Sequence, residues 1–157
     1  MKNLRRVNNP HHDDKVMDAC SLFGVMDTSG RRFSGEGIIR AIANMHERGN
    51  GLGGGFAVYG LYPQYADQYA FHVMYLSREG QRESEALLKD RFNLVYSEEV
   101  LTRPTPGIVG PPMVWRYFLN VGRNLPDGQL EDDYVVDRVM EINTKLCDSF
   151  VFSSGKD

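Results

Sequence analysis

Two thiols frame the chemistry open to this chain. Cys20 lies in the short apolar stretch Ala19-Cys20-Ser21-Leu22-Phe23-Gly24-Val25-Met26, and Cys147 lies near the end of a candidate helix. They are far apart with no framework spacing, so two free thiols in a reducing, cytoplasmic compartment are expected. Only a thiolate is a nucleophile, and Cys20 opens a predicted strand, where no helix dipole lowers its pKa. Cleavage of the chain just before Cys20 would supply a base instead. The new α-amine, with a pKa of roughly 7.7–8.0, could take the proton from the thiol of its own residue. Without cleavage Cys20 is a small core residue, the common fate of a free cysteine.

Other groups have plainer readings. Gly53-Gly54-Gly55 could cradle a phosphate, but no Lys-Ser/Thr follows and the loop precedes a strand rather than a helix. His11-His12-Asp13-Asp14 are adjacent ligands in a loose leader, a poor metal site, so no metal is expected. His72 on a strand reads as packed or exposed rather than catalytic, and Cys147 reads as core. Asp132-Asp133 at a helix start suit the macrodipole and need no acid–base role. Arg48 and Asn50 could shape a pocket wall or serve as turn and cap residues.

The elements that must position these groups follow from periodicity and breakers. Residues 1–18 show none and read as a leader. A buried strand over Ala19–Met26 ends in the turn Asp27-Thr28-Ser29-Gly30. Ser34 is placed to cap a helix carrying Ile38, Ile39, Ile42 and Met45, with Gly49 closing it. After the glycine loop, Phe56–Leu61 reads as a second strand. Tyr69–Tyr75 is a third, rich in aromatic and β-branched residues. A charged helix follows over about Arg78–Arg91, with Ala86, Leu87 and Phe92 as its inner side. Asn93–Tyr96 is a short strand, Thr102–Pro112 a loop, and Val114–Val121 a strand before the Asp127-Gly128 turn. Val135, Val139, Ile142 and Leu146 make one apolar helix face, and Phe150-Val151-Phe152 is a last strand. Residues 68–153 therefore predict a ferredoxin-like βαββαβ unit, a four-stranded antiparallel sheet with two helices on one face.

Charge is nearly balanced, with 18 Lys+Arg against 21 Asp+Glu among 157 residues. That gives no basic stripe for nucleic acid. No apolar run approaches the ~18 residues of a membrane span, and the first residues lack the apolar core of an export signal. Neither nucleic acid nor membrane is an expected partner.

The string Cys20-Ser21-Leu22-Phe23-Gly24-Val25 resembles the opening of class-II glutamine amidotransferases, which are N-terminal-nucleophile hydrolases. Met45-His46-Glu47-Arg48-Gly49-Asn50-Gly51-Leu52-Gly53-Gly54-Gly55-Phe56 resembles the Arg-Gly loop after their first helix. With the tail Val151–Asp157, the chain is most similar to the archaeal-type stand-alone glutaminase subunit of glutamate synthase. The resemblance implies an α+β fold: the start of an αββα sandwich, carrying residues 68–153 as an insert, behind a leader over 1–19. It implies that Cys20 attacks the carboxamide of glutamine and that ammonia passes to a partner synthase subunit. It places no cofactor in this chain; FMN and an iron–sulfur cluster would belong to the partner. Arg48 and Asn50 are the matching substrate-site positions. Ser21 stands where the family commonly has Gly. The family's later Arg and its Asn-Gly oxyanion pair find no counterpart in order, Thr102-Arg103-Pro104-Thr105 being a superficial match, so the chain is expected to stop short of them. Two other readings stand beside this one: a non-catalytic docking module, or a related hydrolase acting on another amide.

Overall fold

A computed structural model describes residues 21–45, 55, 57–122 and 125–156 of the chain. The chain divides into two compact units, Met1–Val58 and Tyr59–Asp157.

In the first unit the described residues hold one helix, α1 (Glu36–Ala43). Before it, the Asp27 carboxylate accepts the Ser29 N–H at 2.8 Å, a local turn that needs no partner strand. Gly30 closes the turn with φ of 72°, a left-handed conformation that glycine adopts without strain. Ser34 accepts the Glu36 N–H at 3.2 Å, although the residue in the cap position is Gly35. The strands expected before and after this helix do not form among the described residues. Residues 21–26 and 57–61 carry no strand, and Leu22 and Met26 are 92% and 82% exposed. Backbone groups of a strand are satisfied by a neighbouring strand, and these segments have none here.

The second unit is built around a sheet. Its elements run β1 (Tyr69–Tyr75), α2 (Arg78–Arg91), β2 (Asn93–Glu99), β3 (Met113–Asn120), α3 (Glu131–Lys145) and β4 (Ser149–Ser153). The sheet order is β2-β3-β1-β4 with every pair antiparallel. This α+β arrangement is the split βαβ order.

Alternation along β1 decides where the core sits. Tyr69, Phe71, Val73 and Tyr75 are all buried on one face. They share a single cluster with Leu88 of α2 and with Tyr134, Val135 and Ile142 of α3, so both helices cover that face. Val139 and Leu146 pack against the same cluster from its margin. The phenols inside it are not left bare. Tyr75 donates to the Tyr117 oxygen at 3.0 Å and Tyr117 donates to Glu85 at 3.1 Å. Burial pushes the Tyr75 hydroxyl up to about 12.

The expected inner side of α2 holds in part: Phe92 is buried in the core and Leu87 packs against it. Gly80, Gln81, Ser84 and Leu88 are its buried residues, whereas Ala86 is exposed. The reason is close approach. A Cβ at Gly80 would lie 2.7 Å from the Asp148 Cβ, and Ser149 donates to the Gly80 carbonyl at 2.9 Å. Small residues let the first turn of α2 lie against the start of β4, and that contact sets the helix's rotation. Cys147, expected in the core, is exposed, because α3 ends at Lys145 and the chain turns outward there.

Candidate functional site

Cys20, Arg48 and Asn50 lie outside the described residues, as does the leader over residues 1–19. What the structure does place is α1, an eight-residue helix between the cysteine segment and the Arg48 loop. Four apolar side chains after Cys20, those of Leu22, Phe23, Val25 and Met26, are exposed.

A polar cluster assembles in the second unit, on the sheet face that carries no helix. The antiparallel register sets His72 of β1 opposite Arg116 of β3, and Arg116 opposite Glu98 of β2. A short 3-10 turn, Pro63–Tyr65, then brings two tyrosines over this row. The Tyr62 hydroxyl is 2.7 Å from His72 Nε2 and accepts from Arg116 Nη1 at 2.9 Å. Arg116 also pairs with Glu98, and its guanidinium lies 4.5 Å above the Tyr62 ring. Tyr65 stacks on Phe118 at 3.8 Å between centroids.

A register shift between Leu94 and Tyr96 adds the last aromatic. Leu94 pairs with Leu119 of the core, while Tyr96 pairs with Phe118 and stacks against Tyr65 at 5.9 Å. Such a bulge reverses the face a side chain presents. Phe118 is thereby almost fully buried, although no helix covers its side of the sheet.

The electrostatics of the cluster favour a neutral imidazole. Burial lowers the His72 pKa, and the nearby charge of Arg116 lowers it further. His72 Nδ1 and Arg116 Nε are both enclosed without a hydrogen-bond partner. The phenol can thus accept from Arg116 and share a proton with His72, holding Tyr62 and Tyr65 down on the sheet. With Nδ1 enclosed and Nε2 bonded to the Tyr62 hydroxyl, His72 orders this segment. Sequence reading missed the cluster. The alternation Ala70-His72-Met74 along β1 was the available signal, since it puts a histidine on the face opposite the aromatic core.

Among the described residues no group of three His, Cys, Asp or Glu side chains could hold a metal ion. No described helix is long and apolar enough to cross a membrane. No family model matches the chain, and no solved structure matches it. The chain is similar to an uncharacterized protein of Archaeoglobus fulgidus, 51% identical over 147 residues. The alignment covers 92% of this chain but 39% of that relative, so the chain spans about two fifths of the relative's length.

Proposed function

We propose that this chain carries the nucleophile end of a class-II glutamine amidotransferase of the glutamate-synthase type. The observation that carries the reading is an order of motifs. Cys20-Ser21-Leu22-Phe23-Gly24-Val25 comes first, a helix follows, and then Arg48-Gly49-Asn50-Gly51-Leu52-Gly53-Gly54-Gly55. Helix α1 supports it by falling between the two motifs. Exposed Leu22, Val25 and Met26 are compatible with it, since they leave an apolar surface that a partner can cover.

In this reaction the Cys20 amine takes the thiol proton, and the sulfur adds to the carboxamide carbon of glutamine. The C–N bond breaks as the proton is returned, so ammonia leaves and a glutamyl thioester remains. Water then hydrolyses the thioester to glutamate and restores the thiol. Arg48 and Asn50 are the substrate-site residues in this reading, and ammonia passes to a cytoplasmic synthase subunit that holds FMN and an iron–sulfur cluster. The reaction also needs a carboxylate-binding Arg and an oxyanion pair, for which the sequence offers no motif in the family's order.

The test uses the natural polypeptide that contains this segment. Its first residue is sequenced, and ammonia release from glutamine is measured beside a Cys20→Ala control. Cys20 should be the first residue, and release should vanish in the control. The 157-residue chain alone should fall short by at least the ~10²–10³-fold that one oxyanion donor supplies. Release that survives Cys20→Ala refutes the proposal. A docking role for the second unit is the other reading. It is supported by Phe150 and Phe152, which stay half-exposed on the helix-free face, and it predicts a natural protein that keeps its leader.

A further inference from the structure

We infer that the second unit binds a small oxyanion, a carboxylate or phosphate group, in a cleft between the end of α2 and the side of α3. The cleft encloses about 340 Å³ and is lined by Asp90, Arg91, Pro126, Gln129, Tyr134 and Arg138. It lies on the helical side of the unit, away from the His72 cluster and independent of any role for Cys20.

Two guanidinium groups face this one space, and the chain leaves both with free donors. Arg91 Nε lies 3.4 Å from Oδ2 of its neighbour Asp90, the side chain is 42% exposed, and its charge also acts on Glu141. Arg138 gives Nη1 to Glu141 at 2.6 Å. The Nε of each arginine is enclosed without a hydrogen-bond partner. The exposed part of each guanidinium carries terminal N–H donors, and a hydrogen bond from a charged donor contributes roughly 1.5–3 kcal/mol.

The surroundings hold these forks in place. Arg138 lies 5.3 Å from the Tyr134 ring centroid, and the Tyr134 hydroxyl donates to the Arg91 carbonyl at 3.2 Å, tying the end of α2 to α3. Gln129 is oriented by its bond to Asp137 at 2.9 Å. The side chains of Glu141 and Lys145 pair with each other at 2.8 Å, which leaves Arg138 less than a full counter-charge. Of the lining groups two are cationic and one is anionic, a balance that suits a monoanion. The planar forks suit two oxygens on one centre, as in a carboxylate or a phosphate. Asp90 at the rim disfavours larger polyanions.

Backbone and arginine Nε–H resonances of the 157-residue chain are followed while sodium phosphate or sodium glutamate is added, with sodium chloride matched for ionic strength. Saturable shifts should appear at Arg91, Gln129 and Arg138. Saturation by one salt alone identifies the source of the oxyanion, and saturation by both identifies the shared group. Arg91→Gln should weaken binding about tenfold or more, the worth of one charge-assisted hydrogen bond. Arg91→Lys, which keeps the charge but loses the fork, should also weaken it, and the unchanged remainder of the spectrum shows that each variant is folded. Arg82→Gln, at an exposed position on the same helix, should bind as the parent does. Shifts that never saturate with either salt, or that survive Arg91→Gln, overturn the inference.

Discussion

Replacing Gly80 by alanine sets two effects of similar size against each other. In an open helix the change would stabilise, because glycine is less favourable than alanine by about 1 kcal/mol. Here the new methyl would lie 2.7 Å from the Asp148 Cβ and 3.0 Å from the Asp148 carbonyl oxygen. Neither neighbour can easily retreat. The Asp148 carbonyl accepts from the Leu76 N–H at 2.9 Å, and Ser149 is bound to the Gly80 carbonyl. Overpacking of a pinned site costs about 1–3 kcal/mol, so the net change should be a loss of about 1 kcal/mol or somewhat more. Urea unfolding followed by circular dichroism measures it, with the m-value unchanged. The midpoint temperature of a domain this size should drop by roughly 4–8 °C for each kcal/mol. Glu83→Ala, exposed on the same helix, should stay within about 0.5 kcal/mol of the parent. A Gly80→Ala protein as stable as the parent or more so would show that α2 does not rest on the start of β4.

Stability should also depend on His72. The folded state holds this imidazole below its ordinary pKa of 6.5 through burial and the charge of Arg116, so the unfolded chain binds the proton more readily. The contribution is complete above about pH 6.5 and is lost as pH falls through and below that value. Urea midpoints taken from pH 7.5 to 5 should show the slope, and His72→Gln should flatten it; an unchanged slope would mean another group titrates. Phe71→Ala, at a fully buried position beside Phe92, should cost about 3–5 kcal/mol by the same measurement. Cys147, being exposed, should be alkylated by a maleimide in the native protein, read from the mass of its peptide; protection until denaturant is added would return it to the core.

The parts of the fold that were legible are those specified by neighbours in sequence. Helix α2 begins where Ser77 accepts the Gly80 N–H at 3.0 Å, a signal four residues long. Strand β1 was marked by its own aromatic and β-branched run. The inward side of α2 was legible in part: Leu87 and Phe92 pack in the core as expected, whereas the burial of Gly80 depends on the approach of Asp148 from the far end of the chain. The strands expected over Ala19–Met26 and Phe56–Leu61 do not form among the described residues for a related reason: apolar character suggests a strand, but only a partner makes one. The Tyr62–Arg116 contact spans 54 positions and exists only once β1 and β3 are in register. The Cys20 and Arg48 motifs, by contrast, were readable as strings, and their placement lies outside the described residues.

The strand order carries a consequence for synthesis. Strand β1 is central, flanked by β3 on one side and β4 on the other, yet β4 is the last element of the unit to be made. Until Ser149–Ser153 leaves the ribosome, the row of donors and acceptors from His72 to Tyr75 that pairs with β4 faces open solvent. An open edge beside an aromatic core invites pairing with another chain. The nascent unit is therefore exposed from the moment β3 docks until the final five-residue strand arrives, and a pause in translation near Cys147 would prolong that interval. Cellular chaperones would meet this protein at its second edge, and a ribosome-bound chain stalled at Asp148 is the form that would reveal it.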